Sequence, residues 1–327
     1  MMLSRVANGL FDLSQSVERA QHVAQIIEVN HKMNLEREAH DDAEVWRAIS
    51  DAFDGAMTHP GERDIYESLA LSDDHPYSVR QCVSRARFEG RAMREHISEE
   101  MWLHLNHTHL SFDSLTFDLI VGIGRSEFNR RVTIFADAFS GLSDDTMIRG
   151  EAWAFLRIGK LMERATMICR ILKIKENLMV LEQGGAPIDT HQWQALLRSL
   201  SGYEPYRRVY DARIIPARVL EFVLKQKDFP RSLTGCLEDM RNAIAVVSAR
   251  YELLSDLELL IAQLLLKLRL VQTKSLLEEG AFSVFLGEIS DCCDDMEKAA
   301  DRAFFATLRR NPVHEIGIRS IGMAVQQ

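Results

Sequence analysis

The stretch SVERAQHVAQII, residues 16–27, sets a charged pair into an apolar helical pattern, and LMERATMICRIL, residues 161–172, does the same. Around the first, Val6, Leu10, Leu13, Val17, Ala20, Ala24 and Ile27 recur at three- and four-residue steps, one apolar stripe of a helix. Around the second, Phe155, Leu156, Ile158, Leu161, Met162, Met167, Ile168, Ile171 and Leu172 leave almost no polar face. A helix of that kind is buried on most sides. Yet each copy carries a Glu-Arg doublet, Glu18-Arg19 and Glu163-Arg164. A lone buried carboxylate costs several kcal/mol or takes up a proton, so each needs a cation. Sequence neighbours on a helix do not face one another, so that cation must come from another element. The expected solution is a cross-over, Glu18 with Arg164 and Glu163 with Arg19. One turn before each Glu stands a small residue, Ser14 or Gly159, where another backbone can come close.

The doublets also reveal a repeat. At an offset of 163 − 18 = 145, Leu13 matches Ile158, Val17 matches Met162, Ala20 matches Ala165 and Val23 matches Ile168. At 230 − 76 = 154, PYSVRQCV from Pro76 matches PRSLTGCL from Pro230, with Pro, Ser and Cys in common. The expected fold is all-α, a multi-helix bundle of two duplicated, pseudo-symmetric halves, residues 1–145 and 146–327, packed as one globular unit. Sustained period-two alternation and hairpin turns are missing. Breakers fall at THPGERD, SDDHPYS, SGLSDDT, EQGGAPIDT and QKDFPRS, which predicts roughly ten helices of ordinary length. Several breakers place Ser or Asp ahead of a helix, where the side chain can accept free backbone N–H groups.

A chain of 327 residues, 46% hydrophobic, can bury a substantial core. Its net charge of −9 argues against a generic nucleic-acid binder, because an acidic surface repels phosphate. Five cysteines with no CxxC spacing suit neither a disulfide framework nor a zinc site, and fit a reducing cytoplasm. The run LELLIAQLLLKLRLV is too charged to span a bilayer and reads as a buried helix, so no membrane association is expected.

Two readings of the doublets stay open. A buried Glu-Arg network can simply fix how the halves pack. Otherwise the junction is a polar pocket, with Glu18 or Glu163 as acid/base candidates and Arg19, Arg164 and Ser14 lining it for an anionic ligand, because the guanidinium fork suits carboxylate or phosphate. Two further binding candidates are the basic ladder containing Arg87 and Arg91, which needs carboxylates such as Glu18, Glu163 or Glu204, or else a bound anion, and the aromatic-basic cluster of Tyr206, Arg207 and Arg208. No metal is expected, since Glu28-x-x-His31 has no second copy to complete a di-metal site. VGIGR, residues 121–125, is only a fragment of a phosphate loop.

The opening MLSRVANGLFDLSQSVERA, the middle GLSDDTMIRGEAWAFLRIGKLMERA, SEEMWLHLN, YEPYRR and FPRSL with its following CL together resemble the Alpha-E family of helical proteins, named for an ER motif, over nearly the whole chain. The resemblance implies a partner, a circularly permuted ATP-grasp protein, with a transglutaminase-like protease nearby. It implies a role in ATP-dependent amide or peptide bond formation or peptide modification. ATP and Mg would then be held through that partner, and this chain alone would hold no cofactor and be non-catalytic. The alternatives are a stand-alone enzyme using the buried Glu/Arg groups, and a structural protein that forms a homo-oligomer.

Overall fold

The computed structural model describes residues 2–36, 42–53, 55, 57–181, 190–247 and 254–310. Among these there are fourteen α-helices and no strand. In chain order they are α1 Ser4–Glu36, α2 Asp42–Ala52, α3 Glu62–Ile65, α4 Val79–Ala92, α5 Glu99–Phe112, α6 Phe117–Ile123, α7 Arg125–Thr146, α8 Glu151–Leu181, α9 Thr190–Ser199, α10 Tyr203–Val209, α11 Pro216–Lys225, α12 Leu233–Val247, α13 Leu254–Leu270 and α14 Ala281–Arg310. The count exceeds the expected ten because a segment between two expected breakers holds more than two helices: residues 79–146 form α4, α5, α6 and α7.

The two long helices that carry the doublets, α1 and α8, pack along each other at the centre. Around α1 lie α4, α7, α9 and α14, while α8 is flanked by α2, α12, α14 and α9. This enclosure is what the apolar patterns demand: Leu10, Leu13, Ala20, Val23 and Ile26 of α1 and Phe155, Ile158, Met162, Ile168 and Leu172 of α8 are all fully buried. Each of these side chains larger than Ala20 gains about 1.5–3 kcal/mol from leaving water. Phe155 meets Phe304 of α14 edge-on, ring centroids 5.0 Å apart, which fastens the C-terminal helix to the centre.

The Pro-x-Ser blocks begin matching helices. Ser78 precedes α4 and Ser232 precedes α12, and α4 packs on α1 as α12 packs on α8. Ser232 accepts from the Gly235 N–H at 2.9 Å, as a capping serine should. Ser78 differs: its buried hydroxyl has no partner among the described residues. Ser98 and Thr116 cap α5 and α6, accepting from the Met101 and Leu119 N–H groups.

Two sequence expectations need correction. SGLSDDT does not break the chain: residues 140–146 complete α7, and the break falls at Met147–Gly150. Ser143 and Thr146 donate back to the carbonyls of Ser140 and Leu142, so their hydroxyls are satisfied inside the helix. The apolar run in α13 is not buried on all sides. Leu257, Ile261, Leu264 and Leu268 face the core, while Leu259, Leu266 and Leu270 are exposed. The segment EQGGAPID lies outside the described residues. No helix among the described residues is long and apolar enough to cross a membrane.

Candidate functional site

The doublets meet where α1 crosses α8, and they pair across it. The Arg19 guanidinium donates from Nε to Glu163 Oε1 at 2.7 Å and from Nη2 to Glu163 Oε2 at 2.5 Å, a bidentate fork. Arg164 Nε donates to Glu18 Oε1 at 2.6 Å. Glu18 and Glu163 are each 2% exposed, so these charges are settled by one another rather than by water. A second arm of each arginine reaches the Pro-x-Ser block that follows it in the chain. Arg19 Nη1 lies 3.5 Å from the Pro76 carbonyl, and Arg164 Nη1 donates to the Pro230 carbonyl at 3.2 Å. One turn beyond each Pro-x-Ser, the buried thiols Cys82 and Cys236 are pushed up to about 12 by burial, so they stay protonated beside the arginines.

Small residues make the crossing possible. A Cβ on Gly159 would stand 2.4 Å from the Phe11 carbonyl oxygen and 2.5 Å from Ser14 Oγ, so the helices touch backbone to backbone there. Ser14 turns its hydroxyl onto the Phe11 carbonyl at 3.0 Å, and it also lines the small cavity beside Glu18.

The two pairs have unlike surroundings. His22 lies 3.0 Å from Glu18 Oε1. Burial, with help from Arg231 and Arg164, lowers the His22 pKa below its ordinary value, so the ring is neutral. A neutral ring that bonds a carboxylate must donate from Nε2. Its Nδ1 is then a bare acceptor, buried with no partner among the described residues. Burial pushes the Glu18 carboxyl up, but Arg164, the His22 bond and Lys160 together hold it well below the usual carboxylate range. Burial brings Lys160 itself down to about 8 against the pull of Glu18, while its ammonium bonds the Ser140 hydroxyl. Arg231 donates to Gln21, and Gln21 to Asp137 at 2.8 Å, which extends this cluster outward. Around Glu163, burial and the Glu163 charge raise the Glu297 carboxyl, while Gln15 donates to it at 3.3 Å. Beside Arg19 the ring of Tyr77 takes the guanidinium on its face at 5.0 Å.

The cavity beside Glu18, lined by Lys160, Ser140 and Ser143, measures about 20 Å³. That is the size of a single water molecule. Arg19 and Arg164 are thus engaged by Glu163 and Glu18, and the cavity beside Glu18 has room for about one water molecule.

The other sequence candidates lie apart from this crossing. Arg87 donates to Asn106 at 2.8 Å, Arg91 is exposed, Arg94 covers the Trp102 ring and Arg80 donates to the Leu115 carbonyl. The expectation that this ladder engages Glu18, Glu163 or Glu204 is therefore corrected: Asn106 and Trp102 of α5, the Leu115 carbonyl and the Asp73 carboxylate, 3.9 Å from Arg80, are the partners. Tyr206 is buried, and its hydroxyl donates to the Arg213 carbonyl at 3.0 Å, so it ties α10 to the next loop. Arg207 is exposed, stacks on Tyr203 and pairs with Glu204 at 3.6 Å. Arg208 is exposed. In the Glu28-x-x-His31 motif the two side chains separate: Glu28 pairs with Lys32 and His31 with Glu62. The VGIGR stretch is a joint, where Gly124 at φ +95° turns α6 into α7 and Arg125 pairs with Glu62.

The sequence model of Alpha-E, described as a predicted alpha-helical domain with a conserved ER motif, matches residues 2–305. The chain belongs to the Alpha-E family. Uncharacterized proteins of Mycobacterium bovis and Mycobacterium tuberculosis are 23% identical to this Alpha-E chain over 264 residues, covering 72% of it and 29% of their own length. No solved structure matches it.

The Alpha-E chain contains four Glu-Arg dipeptides, at 18–19, 36–37, 62–63 and 163–164. The doublets at 18–19 and 163–164 interlock at the α1–α8 crossing. In the 62–63 pair Glu62 goes to Arg125 and His31, and the exposed Arg63 bonds Glu67. Arg37 lies outside the described residues. Sequence reasoning missed Lys160, Arg231 and His22. The signal was present at the repeat offsets, where Lys160 matches Gln15, Arg231 matches Tyr77 and His22 matches Met167. Each mismatch adds a basic or titratable group on the Glu18 side.

Proposed function

We propose that this chain is the helical, non-catalytic partner of a circularly permuted ATP-grasp ligase in the cytoplasm. It handles substrate for ATP-dependent amide or peptide bond formation or peptide modification, with ATP and Mg²⁺ held by the ligase. The observation that carries the reading is the length relation. The chain spans only 29% of the length of the mycobacterial relatives it matches, so those relatives carry a corresponding stretch as one part of a larger body. Closure of the doublets supports the non-catalytic role, because Glu18 and Glu163 are each engaged by an arginine at a buried crossing. A docking face is supported by Leu259, Leu266 and Leu270, exposed at seven- and four-residue steps along α13. The matched Arg-to-proline contacts support descent of residues 1–145 and 146–327 from one repeated unit.

The test is reconstitution. The chain is purified alone and with its neighbouring ATP-grasp protein, and ADP release and amide products are followed by coupled assay and mass spectrometry. The pair should form product, the chain alone should not turn over ATP, and Leu266→Lys with Leu259→Lys should weaken the complex. Turnover of a substrate by the chain alone, abolished in a folded Glu18→Gln variant, would establish the stand-alone enzyme instead. A homo-oligomer seen by light scattering that loses its association on the same leucine changes would favour the structural reading.

A further inference from the structure

A cleft of about 290 Å³ opens between α1, α7, α9 and the start of α10, away from the crossed doublets. That volume sits at the lower end of small-ligand sites. Glu28 and Asn129 line it, and each keeps a buried oxygen, Oε2 and Oδ1, with no partner among the described residues. Glu28 is 3% exposed. Its other oxygen, Oε1, already accepts the Ser126 hydroxyl and the Lys32 ammonium, each at 2.6 Å.

The Asn129 orientation follows from a relay. The Arg198 backbone carbonyl can only accept, so Gln25 must turn its amide nitrogen toward it, at 3.1 Å. Gln25 Oε1 then faces Asn129, which must present its own NH₂ group, at 3.2 Å. The group left over on Asn129 is therefore an oxygen. Two unpartnered acceptors on residues that line one cleft suit a ligand rich in donors, because an unmet buried acceptor costs about 1–3 kcal/mol. At the rim stand two cations, Lys32, paired with Glu28, and an Arg198 whose guanidinium is held over the Tyr203 ring at 5.0 Å, together with the Glu204 carboxylate.

We propose that this cleft binds a free α-amino acid or a short peptide by its amino end. The ammonium sits on Glu28 Oε2 and Asn129 Oδ1, and the carboxylate end turns toward Lys32 and Arg198. A primary ammonium brings three donors to the two waiting acceptors, and a zwitterion also answers the cations at the rim. The proposal deepens the ligase-partner reading, on which it rests for its biological sense: the ligand is the amine that amide formation consumes.

The experiment uses the whole chain without any ligase. A panel of free α-amino acids and dipeptides, each with its N-acetyl counterpart, is titrated by calorimetry and ligand-observed NMR. At least one free-amine compound should bind at millimolar concentration or tighter. N-acetylation should weaken it by roughly tenfold or more, since a lost charge-assisted contact is worth about that much. Asn129→Leu and Glu28→Gln should each weaken it similarly with thermal unfolding unchanged; should Glu28→Gln disturb folding, Asn129→Leu alone decides. Absence of binding by every free amine, or equal binding of the acetylated forms, overturns the proposal. Amine binding without ligase stimulation would remove only the partner reading, and stimulation without amine binding would remove only this one.

Discussion

Gly159 of α8 sits against the Phe11 carbonyl of α1 so closely that a Cβ at position 159 would come within 2.4 Å of that oxygen. Contact of backbone with backbone sets the spacing at which Arg19 reaches Glu163 and Arg164 reaches Glu18. Gly159→Ala gains up to about 1 kcal/mol of helix propensity. It must also push two central helices apart, which costs about 1–3 kcal/mol or more in a packed core. Chemical denaturation should show a net loss of stability. A neutral or stabilised variant would mean that the crossing is looser than described.

Loss of the two carboxylates should not be equivalent. Glu18→Gln strands Arg164 in a cluster that already holds Lys160 and Arg231, and it should cost about 3–5 kcal/mol. Glu163→Gln strands Arg19, which is 17% exposed and stacked on Tyr77, and it relieves Glu297 of a like charge. It should cost about 1 kcal/mol less or better. Urea unfolding of both variants ranks them, and equal losses would contradict the asymmetry.

Acid should undo this centre in two stages. The His22 pKa is lowered in the fold, so the unfolded chain takes up a proton first as pH falls below 6.5, and stability declines from there. The Glu18 pKa is also lowered, so its contribution is complete above 4.5 and is lost as pH falls below that toward its folded value. In a stability-versus-pH series, His22→Gln should remove the upper stage and leave the lower one. A variant curve that parallels wild type through pH 6.5 would refute the neutral, buried ring.

Lys160 works in the alkaline direction. Its folded pKa of about 8 lies below the ordinary 10.5, so between these values the unfolded chain holds a proton that the folded chain has released. Its contribution therefore makes stability rise with pH in that window. The Cys82 and Cys236 thiols, pushed up to about 12, act oppositely above their ordinary 9. The difference between wild type and Lys160→Met cancels the thiols. That difference should shift in favour of wild type from pH 8 upward, and a flat difference would mean that Lys160 titrates normally.

Much of the fold was legible because burial is written as periodicity. The stripes of α1 and α8 announced central helices, and the doublets inside them required partners from elsewhere, which leaves crossed pairing as the economical answer. What stayed hidden depends on distance in space. Lys160 reads as an ordinary helix-surface lysine until α7 brings Ser140 beside it. The cleft gathers Glu28, Asn129 and Arg198 from three helices far apart in sequence, and no local pattern joins them. SGLSDDT misled because serine and aspartate favour turns, yet here the Ser143 and Thr146 hydroxyls close onto helix carbonyls and Asp144 accepts the Trp153 indole N–H at 2.9 Å. The arginine ladder before α5 misled because like charges suggested carboxylate partners throughout, while among the described residues only Arg80 meets one, Asp73 at 3.9 Å, and a carbonyl, an amide and an indole group meet Arg80, Arg87 and Arg94.

Double-mutant cycles at the crossing test the central claim most directly. Glu18→Gln and Arg164→Met, and likewise Glu163→Gln and Arg19→Met, should couple by about 2 kcal/mol or more, as partners in one network do. The sequence neighbours Glu18 with Arg19, and Glu163 with Arg164, should be additive within about 0.5 kcal/mol. Strong coupling within each doublet and none between doublets would contradict the crossed arrangement.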